Sequence, residues 1–384
     1  MRLHTLKYSE FESGDQQWSL GGLQLGPRNL IVGKNATGKT RALNVIDGLS
    51  LQLAGRQGPA LSGTYDTHFI ENGRDLRYEL KYADQTVLTE RFSIDGVTYL
   101  DRGPGGAGTI WASKIGSGAN VEFQTPPNQL AAVARRDAIQ HAFLEPLHAW
   151  GSSVRHYHFG TSLGKESLAV IVGPRALPPD ERDPNAAIAL FRVADKEFGE
   201  PFQKAIIRDL ESVGYSIERI GLGPLVSARI VTNAPGEVVG LYVKEKTLPG
   251  ITDQASISQG MFRALALFIH VNFCQFKKSA TCLLIDDIGE GLDFERSCLL
   301  IDALREKTKD DLIQLVLTTN DRFVMNRVPL EEWSVLQRTG GSVSVRNYEN
   351  SKAIFEEFKF TGLSNFSFLE MDVLNGPLGA GKHA

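Results

Sequence analysis

The segment LIVGKNATGKT, from Leu30 to Thr40, constrains the fold of this chain more than any other feature. Its apolar start predicts a short buried strand, and the residues that follow match G-x-x-x-x-G-K-T, the pattern of a phosphate-binding loop. After the loop, apolar residues recur at helical spacing, at Leu43, Ile46, Leu49 and Leu53. A strand, a glycine loop and a helix in this order predict an α/β core built around a phosphate site.

The residue types in this loop fit the chemistry of phosphate binding. Glycines let successive backbone N–H groups converge on phosphate oxygens, and the following helix adds its N-terminal partial charge. Lys39 is predicted to reach the β- and γ-phosphates, and the Thr40 hydroxyl to bind Mg²⁺. The alternative is a glycine-rich turn that matches by chance, which the flanking patterns disfavour. The predicted phosphate-binding residues are Gly33, Lys34, Asn35, Ala36, Thr37, Gly38, Lys39 and Thr40.

A second segment, CLLIDDIGEGLD, ends a predicted strand in two carboxylates. Four apolar residues predict a buried strand, and Asp286 at its end is predicted to hold Mg²⁺ through water. Asp287 follows and is predicted to orient an attacking water. Buried strands often end in a polar residue, so the pattern becomes informative through its pairing with the phosphate loop.

The remaining chain is expected to contain both helical and antiparallel parts. Thr67 to Tyr99 predicts antiparallel strands joined by the turns ADQ and IDG. One helix is predicted from Gln129 to Trp150, further helices near 186–212, and strands at 215–245. Ser258 is a good N-cap for a helix that is apolar on nearly all sides, which predicts deep burial. From there on, helices and strands alternate, as a parallel core requires.

Composition limits the classes of function. The 384 residues are 42% hydrophobic and carry a net charge of −4, so no global basic field draws the chain to nucleic acid. Nucleic acid thus stays an alternative partner, but the net charge gives no indication of it. Three cysteines without metal-site spacing indicate a reducing compartment. With neither an export signal nor a long apolar run, we expect a cytoplasmic protein with no membrane partner.

The order of these motifs resembles a known family. The motif order is similar to that of the ABC-type ATPase heads of the RecF, SMC and OLD kind: a phosphate loop, a long insertion, an S-x-G helix start, LLIDD and then GLD. Within these, the chain resembles compact AAA-type ATPases of bacterial defence and repair systems, over about residues 1–345. The resemblance implies a P-loop fold with an ABC-type head, in which a mixed or parallel core sheet carries an antiparallel β lobe and a helical insertion.

The resemblance also implies cofactors and an assembly. ATP and Mg²⁺ are the expected cofactors, and two heads are expected to enclose ATP in a homodimer. Asp286 would be the metal carboxylate together with Thr40, and Asp293 the dimer-loop aspartate. The signature that reaches the ATP of the other subunit would be Ser258, Gln259 and Gly260, and the catalytic set would be Lys39, Asp287, Asn320 and Ser258.

Two positions depart from the family pattern. Asp287 stands where the family has Glu, and Asn320 stands where the family has His. Asn can donate a hydrogen bond to phosphate but cannot share a proton as His does. We therefore predict slow hydrolysis, with Glu290 as a candidate assisting carboxylate. If the short carboxylate limits water orientation, lengthening Asp287 to Glu is expected to raise turnover.

The motifs divide the chain into four predicted segments and leave two hypotheses for its function. The segments are 1–165 with the phosphate loop, 166–245 as a variable insertion, 246–345 with the signature, the metal carboxylate and the switch, and 346–384 as a C-terminal tail. The first function is an ATP-dependent switch that controls a separate effector, a nuclease or toxin, in bacterial anti-phage defence. The alternative is a RecF-like ATPase that binds DNA directly during repair. The acidic net charge favours the first.

Two smaller groups leave alternatives open. His156 and His158 alternate on a predicted strand and share a face, so they are either metal ligands or a packed or exposed pair. The packed or exposed pair is favoured because the sequence offers no third ligand nearby. Arg135 and Arg136, together with His141 and His148, predict a mildly basic helix. This helix is a nucleic-acid contact, part of the Q-loop region or a solvated face, and the solvated face is favoured.

Overall fold

The computed structural model describes residues 1–12, 14–113, 118–171, 178–227, 237–309 and 312–375. Part of the predicted strand region 215–245, residues 228–236, lies outside these ranges. The strands are β1 (Arg2–Glu10), β2 (Trp18–Gln24), β3 (Arg28–Val32), β4 (Ser62–Glu71), β5 (Arg74–Ala83), β6 (Thr86–Ile94), β7 (Val97–Arg102), β8 (Ala107–Ala112), β9 (Ala119–Gln124), β10 (Val154–His158), β11 (Ala169–Ile171), β12 (Ile217–Gly223), β13 (Glu237–Glu245), β14 (Thr252–Asp253), β15 (Thr281–Asp286), β16 (Ile313–Thr318), β17 (Trp333–Thr339) and β18 (Ser342–Asn347). The helices are α1 (Lys39–Leu53), α2 (Ala131–Ala134), α3 (Glu145–Ser153), α4 (Ala187–Phe198), α5 (Glu200–Ser212), α6 (Gln259–Phe276), α7 (Phe294–Glu306), α8 (Arg322–Arg327), α9 (Tyr348–Lys359) and α10 (Asn365–Glu370).

The chain forms two compact units. The first unit comprises Met1–Val154, Gln314–Thr318 and Val328–Ala384, and the second comprises Arg155–Ile313 and Thr319–Arg327. The phosphate loop thus belongs to the first unit, whereas the signature and the two carboxylates belong to the second. The segment boundaries predicted at 165, 245 and 345 stay a prediction.

A mixed sheet organises the first unit. Its strand order is β16-β3-β17-β18-β2-β1-β4-β5-β6-β7-β8-β9. β3 runs parallel to both of its neighbours, β16 and β17, whereas β4 to β9 are joined by antiparallel pairings. The predicted α/β fold with a parallel core and an antiparallel lobe is therefore confirmed.

Burial explains why the strand before the phosphate loop and the helix after it form. Leu30, Ile31 and Val32 of β3 are fully buried, as a central parallel strand requires. On α1, the four predicted core residues Leu43, Ile46, Leu49 and Leu53 are at most 1% exposed. Each such leucine or isoleucine contributes roughly 2 kcal/mol through its burial. The loop between these elements is therefore held by packed structure at both ends.

The antiparallel lobe follows from turn residues. Asp84 and Gln85 adopt φ of 49° and 59°, and Asp95 and Gly96 adopt φ of 50° and 80°. Positive φ at both central residues gives the turn whose twist matches a two-stranded hairpin. The predicted strands between Thr67 and Tyr99 are confirmed as β4 to β7.

The second unit surrounds a buried helix. α6 packs against α4 and α5, and most of its side chains are buried, as its apolar sequence predicts. β10 pairs with β15, and a smaller sheet has the order β11-β13-β12, with β14 on β13. The predicted helices near 186–212 are confirmed as α4 and α5. Within the described ranges, none of the helices has the length and apolar character needed to span a membrane.

Two regions differ from the simplest expectation. The single helix predicted from Gln129 to Trp150 is wrong, because α2 and α3 are separated by a turn. The Asp137 carboxylate accepts hydrogen bonds from the backbone N–H groups of Ile139 and Gln140, and this local alternative competes with the helix. The region predicted as a C-terminal tail contains α9 and α10.

Candidate nucleotide-binding site

The phosphate loop connects β3 to α1 in a conformation that two glycines permit. Gly38 adopts φ of 103° immediately before α1, a left-handed conformation that favours glycine. At Gly33, a Cβ atom would lie 2.7 Å from Thr37 Oγ1 and 2.9 Å from the Leu336 carbonyl oxygen. A side chain at Gly33 would therefore distort the loop. The structure thus explains why glycine occupies both motif positions.

Lys39 is folded back over this loop. Its Nζ donates to the Gly33 carbonyl oxygen at 3.0 Å and to that of Lys34 at 3.5 Å, and the residue is only 8% exposed. Thr37 Oγ1 donates to the Lys34 carbonyl oxygen at 2.9 Å and closes the loop. The first turn of α1 contains no acidic residue that would repel an anion. A cation, a helix N-terminus and the exposed Thr40 hydroxyl therefore fit a phosphate with its metal.

The outer face of the loop contacts residues that the sequence did not single out. Lys34 Nζ lies 3.0 Å from Asp372 Oδ2, and an Arg338 nitrogen donates to the Ala36 carbonyl oxygen at 3.1 Å. A cavity of about 480 Å³ opens beside these contacts. No local pattern could have revealed them, because Arg338 lies 302 positions after Ala36.

An aromatic side chain packs at the start of α1. A Cβ on Gly38 would lie 3.3 Å from the Trp18 ring, and the Arg41 guanidinium sits 4.4 Å from the centroid of that ring. Arg41 also pairs with Glu10. β2 thus supports the end of the phosphate loop through Trp18, a contact that no local sequence pattern indicates.

In the second unit, Asp286 ends β15 as predicted. Its side chain is 7% exposed, and its carbonyl oxygen accepts from the Phe159 N–H at 3.0 Å. His158, at the end of β10, places Nδ1 3.7 Å from Asp286 Oδ2. The predicted shared face of His156 and His158 is confirmed, with ring centroids 4.3 Å apart. Among the described residues, no three His, Cys, Asp or Glu side chains group closely enough to hold a metal ion.

Asp287 and Asn320, the two departures from the family pattern, are in direct contact. The Asn320 Nδ2 donates to Asp287 Oδ1 at 2.9 Å. Asp287 adopts φ of 52°, which costs about 1 kcal/mol for a residue other than glycine and is tolerated best by Asn and Asp. Both residues line a cavity of about 480 Å³ with Glu290, Thr319 and their neighbours. Both polar side chains therefore face one cavity of the second unit.

The signature turn begins α6. Ser258 is exposed, and its Oγ accepts from the Met261 N–H at 3.3 Å, so the predicted N-cap is confirmed. Gln259 Nε2 donates to the Thr161 carbonyl oxygen at 3.3 Å. At Gly260, a Cβ would lie 2.8 Å from the Leu292 side chain. The turn is therefore packed directly against the segment that follows Asp287.

Asp293 caps the next helix. Its carboxylate accepts from the Arg296 N–H at 2.9 Å and pairs with the Arg296 guanidinium at 2.5 Å. The backbone hydrogen bond from Arg296 is the main cause that lowers the pKa of Asp293. Beside it, Phe294 is 61% exposed, and its ring lies 5.3 Å from that of Phe323. Asp293 thus stabilises α7 within its own chain, next to an exposed aromatic pair.

The sequence matches no protein-family model and no curated protein. Among solved structures, the chain is similar to an SMC head bound to the C-winged helix domain of ScpA, with 12% identity over 91% of this chain and 100% of that chain, at a TM-score of 0.53. The SMC head domain from Thermotoga maritima shows 15% identity over 90% and 99% of the two chains, at a TM-score of 0.45. An SMC head with an extended coiled coil, bound to the C-terminal domain of ScpA derived from Pyrococcus furiosus, shows 13% identity over 93% and 99%, at 0.47. On the first of these likenesses, the chain has the P-loop α/β fold of an SMC head domain.

Proposed function

We propose that this protein binds and hydrolyses ATP and acts as a switch that dimerises around ATP. The observation that carries the proposal is the phosphate loop, in which Lys39 folds over the Gly33 carbonyl in a chain with an SMC-head fold. In this proposal, Gly33 to Thr40 hold the phosphates, and Thr40 and Asp286 hold Mg²⁺. When bound, Mg²⁺ neutralises charge on the β- and γ-phosphates.

The second unit supplies the groups proposed for hydrolysis. Asp287 orients a water and accepts its proton, and Asn320 holds the carboxylate in one orientation through the 2.9 Å hydrogen bond. Asp287 has a short side chain on a backbone with positive φ. The conformation of the loop therefore determines the position of its carboxylate more than side-chain rotation does. We therefore propose modest turnover, suited to a timed switch.

The dimer proposal is supported by the exposure of Ser258, the first residue of the signature. Ser258 lies exposed at the N-terminus of an 18-residue helix, where backbone N–H groups favour an anion. In the proposed dimer it meets the ATP held by the second copy, across a two-fold axis. The exposed rings of Phe294 and Phe323 adjoin Asp293 and provide apolar area for the same interface.

The partner of the switch is proposed to be a separate protein. The similar SMC head was solved in complex with a domain of another chain, ScpA. Together with the motif resemblance to ATPases of bacterial defence systems, this supports a separate effector, a nuclease or toxin, whose action the ATP-bound dimer controls. We propose that this control serves anti-phage defence in the cytoplasm.

Direct DNA binding, the alternative function, is less well supported by the arginines of the antiparallel lobe and of the Arg135–Arg136 segment. On strands β5 and β6, exposed cations are paired with carboxylates: Arg74 with Asp95, Arg77 with Asp66, and Arg91 with Asp101. Arg136 pairs with Glu145 at 3.1 Å, and Arg135 donates to a backbone carbonyl. Paired cations release few counterions from DNA, so they add little affinity.

One set of measurements tests the proposal. Purified protein with Mg²⁺ is expected to bind ATP in calorimetry, to release phosphate, and to sediment as a dimer only when ATP is present. Absence of ATP binding would refute the proposal. A titration with duplex DNA at two salt concentrations separates the alternatives, because direct phosphate contacts give a steep salt dependence.

A further inference from the structure

We propose that Arg263 is a positioning residue that couples the signature turn to the loop carrying Asp287, and so links the two ATP sites of the dimer. The inference rests on the proposed function. It assigns a role to a residue that no motif in the sequence marks. Its basis is a set of hydrogen bonds and glycine contacts that all lie within the second unit.

Arg263 joins three segments of the second unit. It lies on α6, five positions after Ser258, and is 8% exposed. Its Nε donates to the Thr161 carbonyl oxygen at 2.7 Å, and a terminal nitrogen donates to that of Gly160. The other terminal nitrogen donates to the Glu290 carbonyl oxygen at 2.7 Å. One planar side chain thus connects the signature helix to the loop after β10 and the loop after β15.

The chemistry of these contacts indicates more than packing. Burying a guanidinium costs free energy unless its donors are satisfied, and burial lowers the pKa of Arg263. Its hydrogen bonds go to backbone carbonyls, which belong to two loops without regular structure. Arginine presents donors in a fixed fork, so it fixes both loops in one relative position.

Glycines stand where the three segments meet. A Cβ on Gly291 would collide with the Arg263 guanidinium, and a Cβ on Gly260 would lie 3.1 Å from the Gly291 carbonyl oxygen. A Cβ on Gly160 would lie 2.8 Å from Glu290 Cδ. Because these glycines have no side chain that could rearrange, a displacement of the first turn of α6 displaces both loops as well.

The last link runs from Glu290 to Asp287. The Glu290 N–H donates to the Asp287 carbonyl oxygen at 3.2 Å and closes the turn in which Asp287 holds its positive φ. Arg263 therefore fixes the far end of that turn. In the proposed dimer, Ser258 serves the ATP of the partner while Asp287 serves the ATP of its own chain. Arg263 thus makes hydrolysis at one site depend on occupancy at the other.

The decisive experiment compares Arg263→Lys with wild type. Lysine keeps the charge but cannot hold three carbonyls in one plane. We expect the wild-type rate to rise sigmoidally with ATP concentration, with a Hill coefficient above 1. The variant should bind ATP within about threefold of wild type in calorimetry, whereas its maximal rate falls at least tenfold and its Hill coefficient returns to 1.

Arg155→Lys is the matched control. Arg155 is 5% exposed, lies in the same unit and donates to Glu181 Oε2 at 3.2 Å. Its substitution should lower the melting temperature about as much but leave the Hill coefficient unchanged. A Hill coefficient that stays above 1 in Arg263→Lys would overturn the inference. The inference would also be overturned if the wild type binds and hydrolyses ATP but its rate depends hyperbolically on ATP concentration. Failure of the wild type to bind ATP would instead refute the proposed function.

A measurement on wild type decides the matter if Arg263→Lys does not fold. Hydrogen exchange is followed at the backbone amides of 159–161 and 287–291, with and without a non-hydrolysable ATP analogue. Coupling through Arg263 predicts that the analogue slows exchange in both loops together. Slowing in one loop alone would contradict it.

Discussion

The side-chain amide of Asn320 donates a 2.9 Å hydrogen bond to Oδ1 of Asp287, and this bond joins the two positions at which the sequence departs from the ABC-type pattern. From the sequence alone, each of the two departures is expected to slow hydrolysis independently of the other. Their contact makes them one hydrogen-bonded pair, and in the proposed hydrolysis the amide of Asn320 orients the carboxylate of Asp287. The pair is therefore the natural target for substitution.

The first prediction concerns Asn320→Ala. The exposed hydrogen bond from Asn320 to Asp287 contributes about 0.5–1.5 kcal/mol, so its loss should lower the maximal ATPase rate by roughly 2- to 10-fold. ATP affinity should stay unchanged, since the phosphate loop is intact. Steady-state kinetics and calorimetry measure the two quantities. A variant with lowered affinity and an unchanged rate would place Asn320 on the nucleotide instead of on Asp287.

The second prediction concerns Asp287→Glu and reverses the sequence-based expectation of faster turnover. Asp287 holds φ of 52°, which Glu tolerates less well than Asp. A longer side chain would also break the hydrogen bond to Asn320. We expect a lower rate and a lower melting temperature. A double variant that also carries Asn320→His should recover part of the rate, because the two positions interact directly. Faster turnover in the single variant would show that carboxylate length is limiting.

The sequence predicted those parts of the site that depend on neighbours along the chain. The strand, loop and helix around Lys39, and the Ser258 cap, follow from spacing and turn chemistry. It could not predict contacts made by distant residues, such as Arg338 on the Ala36 carbonyl. The hydrogen bonds from Arg263 to two loops also join residues that are distant in the sequence. Buried arginines that bind carbonyls leave no periodic pattern.

The third prediction uses the two lysines of the phosphate loop. Lys39 is buried over the loop, whereas the Lys34 side chain is 67% exposed and pairs with Asp372. Lys39→Ala should weaken ATP binding at least 100-fold in calorimetry, because it removes the cation folded over the loop. Lys34→Ala should weaken it less than about threefold, since an exposed ion pair contributes little. Equal effects would indicate that net charge, and not position, drives binding.

The fourth prediction tests the dimer surface with two exposed phenylalanines. Phe294 is 61% exposed beside Asp293, and Phe360 is 89% exposed after α9 in the first unit. Phe294→Ser should weaken the ATP-dependent dimer about tenfold in sedimentation, because aromatic side chains dominate interface energies. Phe360→Ser should leave the dimer unchanged. A dimer that depends on Phe360 instead would place the interface on the first unit.

The last prediction asks whether the ATP sites are shared between chains. Ser258 is exposed at the start of α6, and in the proposed dimer it meets the ATP held by the second copy. Ser258→Arg should therefore bind ATP almost normally but fail to dimerise or hydrolyse, whereas Lys39→Ala should fail to bind.

Mixing the two variants provides the sharper test. Each mixed dimer has one site with both substitutions and one site with neither. Because neither variant dimerises by itself, the dimers that form are mixed and have one intact site of two, so activity should return to at most roughly half of wild type. Coupling through Arg263 would hold it below that ceiling. ATP binding lost in Ser258→Arg alone would instead place Ser258 at the site of its own chain, and the shared-site dimer would be wrong.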